Sequence, residues 1–98
     1  MTIITVAEAW EDATSVLNHL IRLGAYATAS PAPKGAGPVI VTYRDPSDPE
    51  PVAVLRWLSG GWLISDTTGG EVQNLPGDTH PRAIARNFWN YTFKLNAA

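Results

Sequence analysis

The chain offers few side chains for acid–base or nucleophilic chemistry. His19 and His80 are its only histidines, and it has no cysteine. Asp78 lies close to His80, a spacing at which a carboxylate can orient an imidazole for proton transfer. The same pair at the start of a helix is a local structural contact. No serine sits in a nucleophile-elbow context and no HExxH motif is present. The local contact is therefore preferred over an enzyme or small-ligand site centred on Asp78 and His80. His19 falls on the polar side of a helix. A non-enzymatic chain is expected, with no catalytic residue, no metal ligand set and no cofactor. Without thiolates neither a disulfide framework nor a cysteine zinc site can form. The pairs Gly60-Gly61 and Gly69-Gly70 lack the GxGxxG and GxxxxGK spacings of phosphate cradles and are read as turns.

Two charged groups and the tryptophans are the remaining candidates. Asp45, Asp48 and Glu50 alternate with three prolines. They lack the glycine and distal glutamate of a calcium loop, which leaves a solvated, stiffened turn or a lure for a basic partner. Arg82, Arg86 and Lys94 recur near one helical stripe, either as the solvated side of an amphipathic helix or as a phosphate-tracking face. Trp10, Trp57, Trp62 and Trp89 are many for 98 residues. They can fill a core, stack on bases or sugars, or anchor a partner. Trp62, directly after a turn, is the one expected to be partly exposed.

The elements that position these residues are organised around Pro51–Asp66, PVAVLRWLSGGWLISD, a β-hairpin by its apolar arms and glycine pair. The turn is Gly60-Gly61 or Ser59-Gly60. The two registers differ by two residues and give the same faces. Leu55, Trp57, Trp62 and Ile64 share one face, assigned to the core. Val54, Arg56, Leu58, Leu63 and Ser65 share the other, which is more apolar than a solvated face requires. Before the hairpin, Ile3–Leu23 reads as a lead-in and an amphipathic helix, with Thr5 and Glu8 at capping-box spacing and Gly24 as its stop. Ala25–Ser30 is an edge strand or an extended connector. Pro31–Pro38 is a flexible loop, and Pro38–Arg44 a strand. Glu71–Leu75 is a candidate fourth strand. A second helix starts near Thr79, capped by Asp78 or Thr79, with Pro81 in its first turn and Ile84, Phe88, Tyr91 and Leu95 as its stripe.

The expected fold is α+β: one small domain over residues 1–98 with a frayed end at 96–98, ordered α-β-β-β(-β)-α, and an antiparallel sheet of three or four strands with two helices on one face. That order is similar to double-stranded RNA-binding domains, and the resemblance implies a nucleic-acid partner. In that family the second helix opens with a basic cluster. Here it opens GDTHPRAIAR, and the loop between the first two strands carries Asp45, Asp48 and Glu50.

Composition narrows the function classes. Hydrophobic content of 45% against 16% charged marks a globular chain, and a net charge of -2 argues against a basic nucleic-acid surface. No apolar run approaches the ~20 residues of a membrane span, no secretory leader is read, and a reducing cytoplasm suits the missing cysteines. The leading expectation is a small acidic protein-binding module that inhibits or modulates a partner protein, of the immunity, antitoxin or phage-modulator kind. Its partner-binding residues would be Arg56, Leu58, Leu63 and Trp62 with Asp45, Asp48 and Glu50. The alternative is a nucleic-acid-binding domain using Arg82, Arg86 and Lys94. A homodimer is also compatible with the pattern.

Overall fold

A computed structural model describes residues 5–32, 37–43, 45, 47, 50–58, 61–68 and 70–97, with the side chains of 58 and 93–97 outside the description. Helix α1, Val6–Arg22, begins where the sequence places it. The Glu8 N–H donates to Thr5 Oγ1 at 3.2 Å, and the Thr5 N–H donates to Glu8 Oε1 at 3.1 Å. Two amides that no helical carbonyl reaches are thereby satisfied. Gly24, with φ 95°, turns the chain out of the helix through a conformation that a Cβ would strain.

Five strands follow: β1 Tyr26–Pro31, β2 Pro38–Tyr43, β3 Pro51–Leu58, β4 Gly61–Ser65 and β5 Glu71–Pro76. They form one antiparallel sheet in the order β1-β2-β3-β4-β5, so each strand pairs with its neighbour in sequence. Helix α2, Pro81–Ala97, closes the described chain. The α+β order and the antiparallel sheet are as expected. The sheet reaches five strands because the Ala25–Ser30 stretch supplies most of an edge strand, Tyr26–Pro31, that pairs with β2, and Glu71–Pro76 forms β5. The likeness to the double-stranded RNA-binding order, which has three strands between its helices, is correspondingly loose.

Register decides the faces. Ala29 pairs with Ile40, Ile40 with Leu55, and Leu55 with Ile64, which aligns one apolar row across four strands. Trp57 pairs with Trp62, and Trp62 with Leu75, in a second row on the same face. Helix α1 packs on β1 and β2, α2 packs on β3, and the helices pack on each other, so both cover this face. The core joins Ala9, Ala13, Val16 and Leu20 of α1 to Ile84, Ala85 and Phe88 of α2 over Ile40, Ala53, Leu55, Trp62 and Ile64. A Cβ on Gly37 would lie 2.5 Å from Trp57 Cε3, so only glycine lets the backbone pass that indole.

Two expectations need correction. Leu58 pairs with Gly61, so the hairpin connection is residues 59 and 60, as in the Ser59-Gly60 alternative, and Gly61 belongs to β4. Both turn residues lie outside the described residues, as does Gly69. Trp62 is not a partly exposed residue: its exposure is 0%. The pleat sends it under the helices beside Trp57, and nearness to a turn does not override that alternation.

Helix α2 is also capped differently. Thr79 is engaged in the turn after β5, where its hydroxyl donates to the Pro76 carbonyl at 2.6 Å. His80 is left at the capping position, and its Nδ1 accepts from the Arg82 N–H at 3.1 Å. Pro81 then occupies the first helical position, where its missing N–H costs nothing.

Candidate functional site on the open face of the sheet

No described element covers the face opposite the helices. Val39 pairs with Arg56, and Arg56 with Leu63, giving one transverse row on that face. Val41 pairs with Val54 in the next row, and Tyr26 pairs with Tyr43 toward the end of β2. Val39, Val41, Val54 and Leu63 are half-buried, while Arg56 is exposed. β-Branched side chains are favoured in strands, but a solvated face needs polar ones. The result is an apolar strip with one guanidinium in its middle, a combination enriched in protein interfaces.

The structure brings together two of the residues expected to bind a partner and separates the others. Arg56 and Leu63 are cross-strand neighbours. The Leu58 side chain lies outside the described residues. Trp62 points to the helices and leaves the set. Asp45 and Glu50 belong to the connection from β2 to β3, at the far end of these strands from Arg56, with the row of Val41 and Val54 between. Arg56 lies five residues along β3 from Pro51, the residue after Glu50, which is roughly 16 Å at about 3.3 Å per residue, so the acidic turn does not adjoin Arg56. Asp45 Oδ1 accepts from the Ser47 N–H at 2.8 Å and from Ser47 Oγ at 2.6 Å, which closes its own turn. Asp48 lies outside the described residues.

The other candidates also have structural employment. Asp66 Oδ1 accepts from the Thr68 N–H, Thr68 Oγ1 and the Gly70 N–H, stapling the β4–β5 connection. Burial, and then the negative charge of Asp66, raises the titration of the Tyr91 hydroxyl above its ordinary 10.0. Asp78 is exposed and His80 caps α2. The imidazole is felt by Asp12 of α1, whose carboxyl is raised above 3.8 by burial first and by Glu8 and Glu11 next, with His80 opposing. His19 is half-buried in the last turn of α1. Arg82 and Arg86 are both exposed, one helical turn apart, and the Lys94 side chain lies outside the described residues. Among the described residues no three His, Asp or Glu converge as a metal-binding group, and no helix is long and apolar enough to cross a membrane.

Val39, Val41 and Tyr43 escaped the sequence reading as members of this surface. Their alternation with Ile40 and Thr42 was visible in it. What it lacked was the pairing of Ile40 with Leu55, which ties that parity to the helical side. No family model, curated protein or solved structure matches the chain.

Proposed function

We propose that the chain is a small, non-enzymatic protein-binding module that inhibits or modulates its partner by holding it on the open face of the sheet. The observation that carries this reading is the uncovered strip of Val39, Val41, Val54 and Leu63 around Arg56. Covering half-exposed valine and leucine side chains yields roughly 25 cal/mol per Å² of apolar area. Arginine at the centre of such a patch supplies directional hydrogen bonds. Further support comes from the titratable groups: Asp45 and Asp66 close turns and His80 caps a helix.

The test is a paired variant, Arg56→Glu with Leu63→Lys, compared with the unaltered chain as bait in nuclease-treated lysate of the native host. The partner's capture should fall at least about tenfold, given that central interface residues carry most of the binding energy, while circular dichroism stays native. Equal capture by the folded variant would overturn the assignment. The second reading, a nucleic-acid-binding domain, rests on the exposure of Arg82 and Arg86 on one stripe. It requires binding that weakens steeply with salt, and no retention of DNA or RNA at low salt would remove it.

A further inference from the structure

The two edges of the sheet are unlike each other. On β5, Glu71 and Pro76 bracket the strand, as edge strands that avoid pairing commonly are. Strand β1, YATASP, has no charge, and its one proline is the last residue. It is exposed along most of its length.

The helix above this edge shares that character. Asp12 lies on the flank of α1 that senses His80 at the start of α2. Across the buried row of Ala9, Ala13, Val16 and Leu20, helical spacing places Val6, Leu17 and Ile21 on the opposite flank. Since α2 sits over β3 while α1 sits over β1 and β2, that flank overhangs the β1 edge. Val6 is 36% exposed and Ile21 54%, and Tyr26, on the open side of β1, is 47% exposed. The exposed charges of α1 (Glu8, Glu11 and Arg22) lie on its solvent side, away from this margin.

We infer that this margin is where a second copy of the chain docks, β1 pairing antiparallel with its counterpart across a two-fold axis and the α1 flanks meeting above it. Charge selects that occupant. A two-fold interface sets each residue's patch against the same patch, so any charge near the axis meets its like. Among the described residues the β1 margin carries none, whereas a partner of opposite charge would be drawn to the charged surfaces elsewhere. Open backbone N–H and C=O groups along β1 supply the hydrogen bonds, as in strand addition. The product is a continuous sheet of twice the strands, with two open faces side by side for the proposed partner.

The experiment is sedimentation equilibrium of the full chain, alone and as the Ile21→Glu/Tyr26→Lys variant. The unaltered chain should approach twice its 10.6 kDa as concentration rises. The variant should dissociate roughly tenfold or more readily. Hydrogen exchange of the unaltered chain serves as a second measurement that needs no variant: β1 amides should exchange more slowly in concentrated than in dilute samples. A mass of 10.6 kDa at every concentration would overturn the inference. So would undiminished association of the folded variant, or β1 exchange independent of concentration. Leu63→Lys should leave the mass unchanged while losing the partner, so failure of either proposal is seen separately.

Discussion

At the scale of single residues, the most consequential pair is one that neither charge nor motif announces. Thr42 and Thr92 are both buried, and their hydroxyl oxygens lie 3.1 Å apart between β2 and α2. Thr92 Oγ1 also reaches the Phe88 carbonyl at 2.9 Å, and either hydroxyl can be the donor between the two threonines. The Thr42 hydroxyl also reaches the Ala53 carbonyl, at 3.5 Å. Replacing Thr92 with valine leaves the buried Thr42 hydroxyl only its long contact with the Ala53 carbonyl and should cost about 1–3 kcal/mol. The Thr42→Val/Thr92→Val double variant should recover much of that loss, because it removes both partners. Urea titration of the three variants measures the coupling. Asp12 gives a prediction in pH. Its carboxyl is raised in the folded state, mainly by burial, so the folded state holds that proton more tightly than the unfolded chain. Its contribution to stability therefore falls as pH rises through the interval just above 3.8. Asp12→Asn should flatten that slope and slightly stabilise the protein at neutral pH, by less than about 0.5 kcal/mol. A stability–pH profile identical to that of the unaltered chain would contradict the origin assigned to the shift.

At the scale of elements, what could be read in advance followed from local chemistry, and what could not depended on a distant partner. The α1 capping box was legible because Thr5 and Glu8 need only each other. The cap of α2 was not, since Asp78 and Thr79 are better capping types than histidine. The β5–α2 turn takes the Thr79 hydroxyl and passes the role to His80. His80→Ala should lower stability by about 1 kcal/mol, and His80→Asn should restore it, because asparagine is a strong capping residue. Thermal unfolding of the two variants decides it, and equal midpoints would show that the Nδ1 bond contributes nothing. Strand β1 was ambiguous for a related reason. Alanine, serine and threonine carry little strand preference, and β1 is fixed by pairing with β2 under the overhang of α1. Of its alanines on the helical side, Ala27 packs against the core and Ala29 stays exposed. The same small, uncharged side chains leave its outer edge open.

At the scale of the whole molecule, the sheet has one face that builds the protein and one that does not, and this asymmetry can be tested without knowing a partner. Parity within each strand was legible. Which parity met the helices was not, except in the hairpin, where two indoles made one face conspicuous. Even there Trp62 was misjudged, because its place in the pleat mattered more than its place beside the turn. The buried Nε1 groups of Trp57 and Trp62 make no hydrogen bond among the described residues, so that corner of the core gains its stability from apolar area alone. Leu55 and Leu63 form the sharpest comparison. They lie on neighbouring strands, one wholly beneath the helices and the other half-exposed on the open face. Leu55→Ala should cost about 2–5 kcal/mol, the range for deleting a fully buried leucine side chain. Leu63→Ala should cost about 1 kcal/mol or less, having less area to lose and no cavity to leave. Chemical denaturation of each variant gives the two numbers. A Leu63 loss equal to that of Leu55 would mean that the open face is covered in the native protein. The proposed partner surface would then be core, and the binding reading would lose its support. A small Leu63 loss combined with loss of partner capture would place the value of that side chain in binding, since folding would hardly notice its absence.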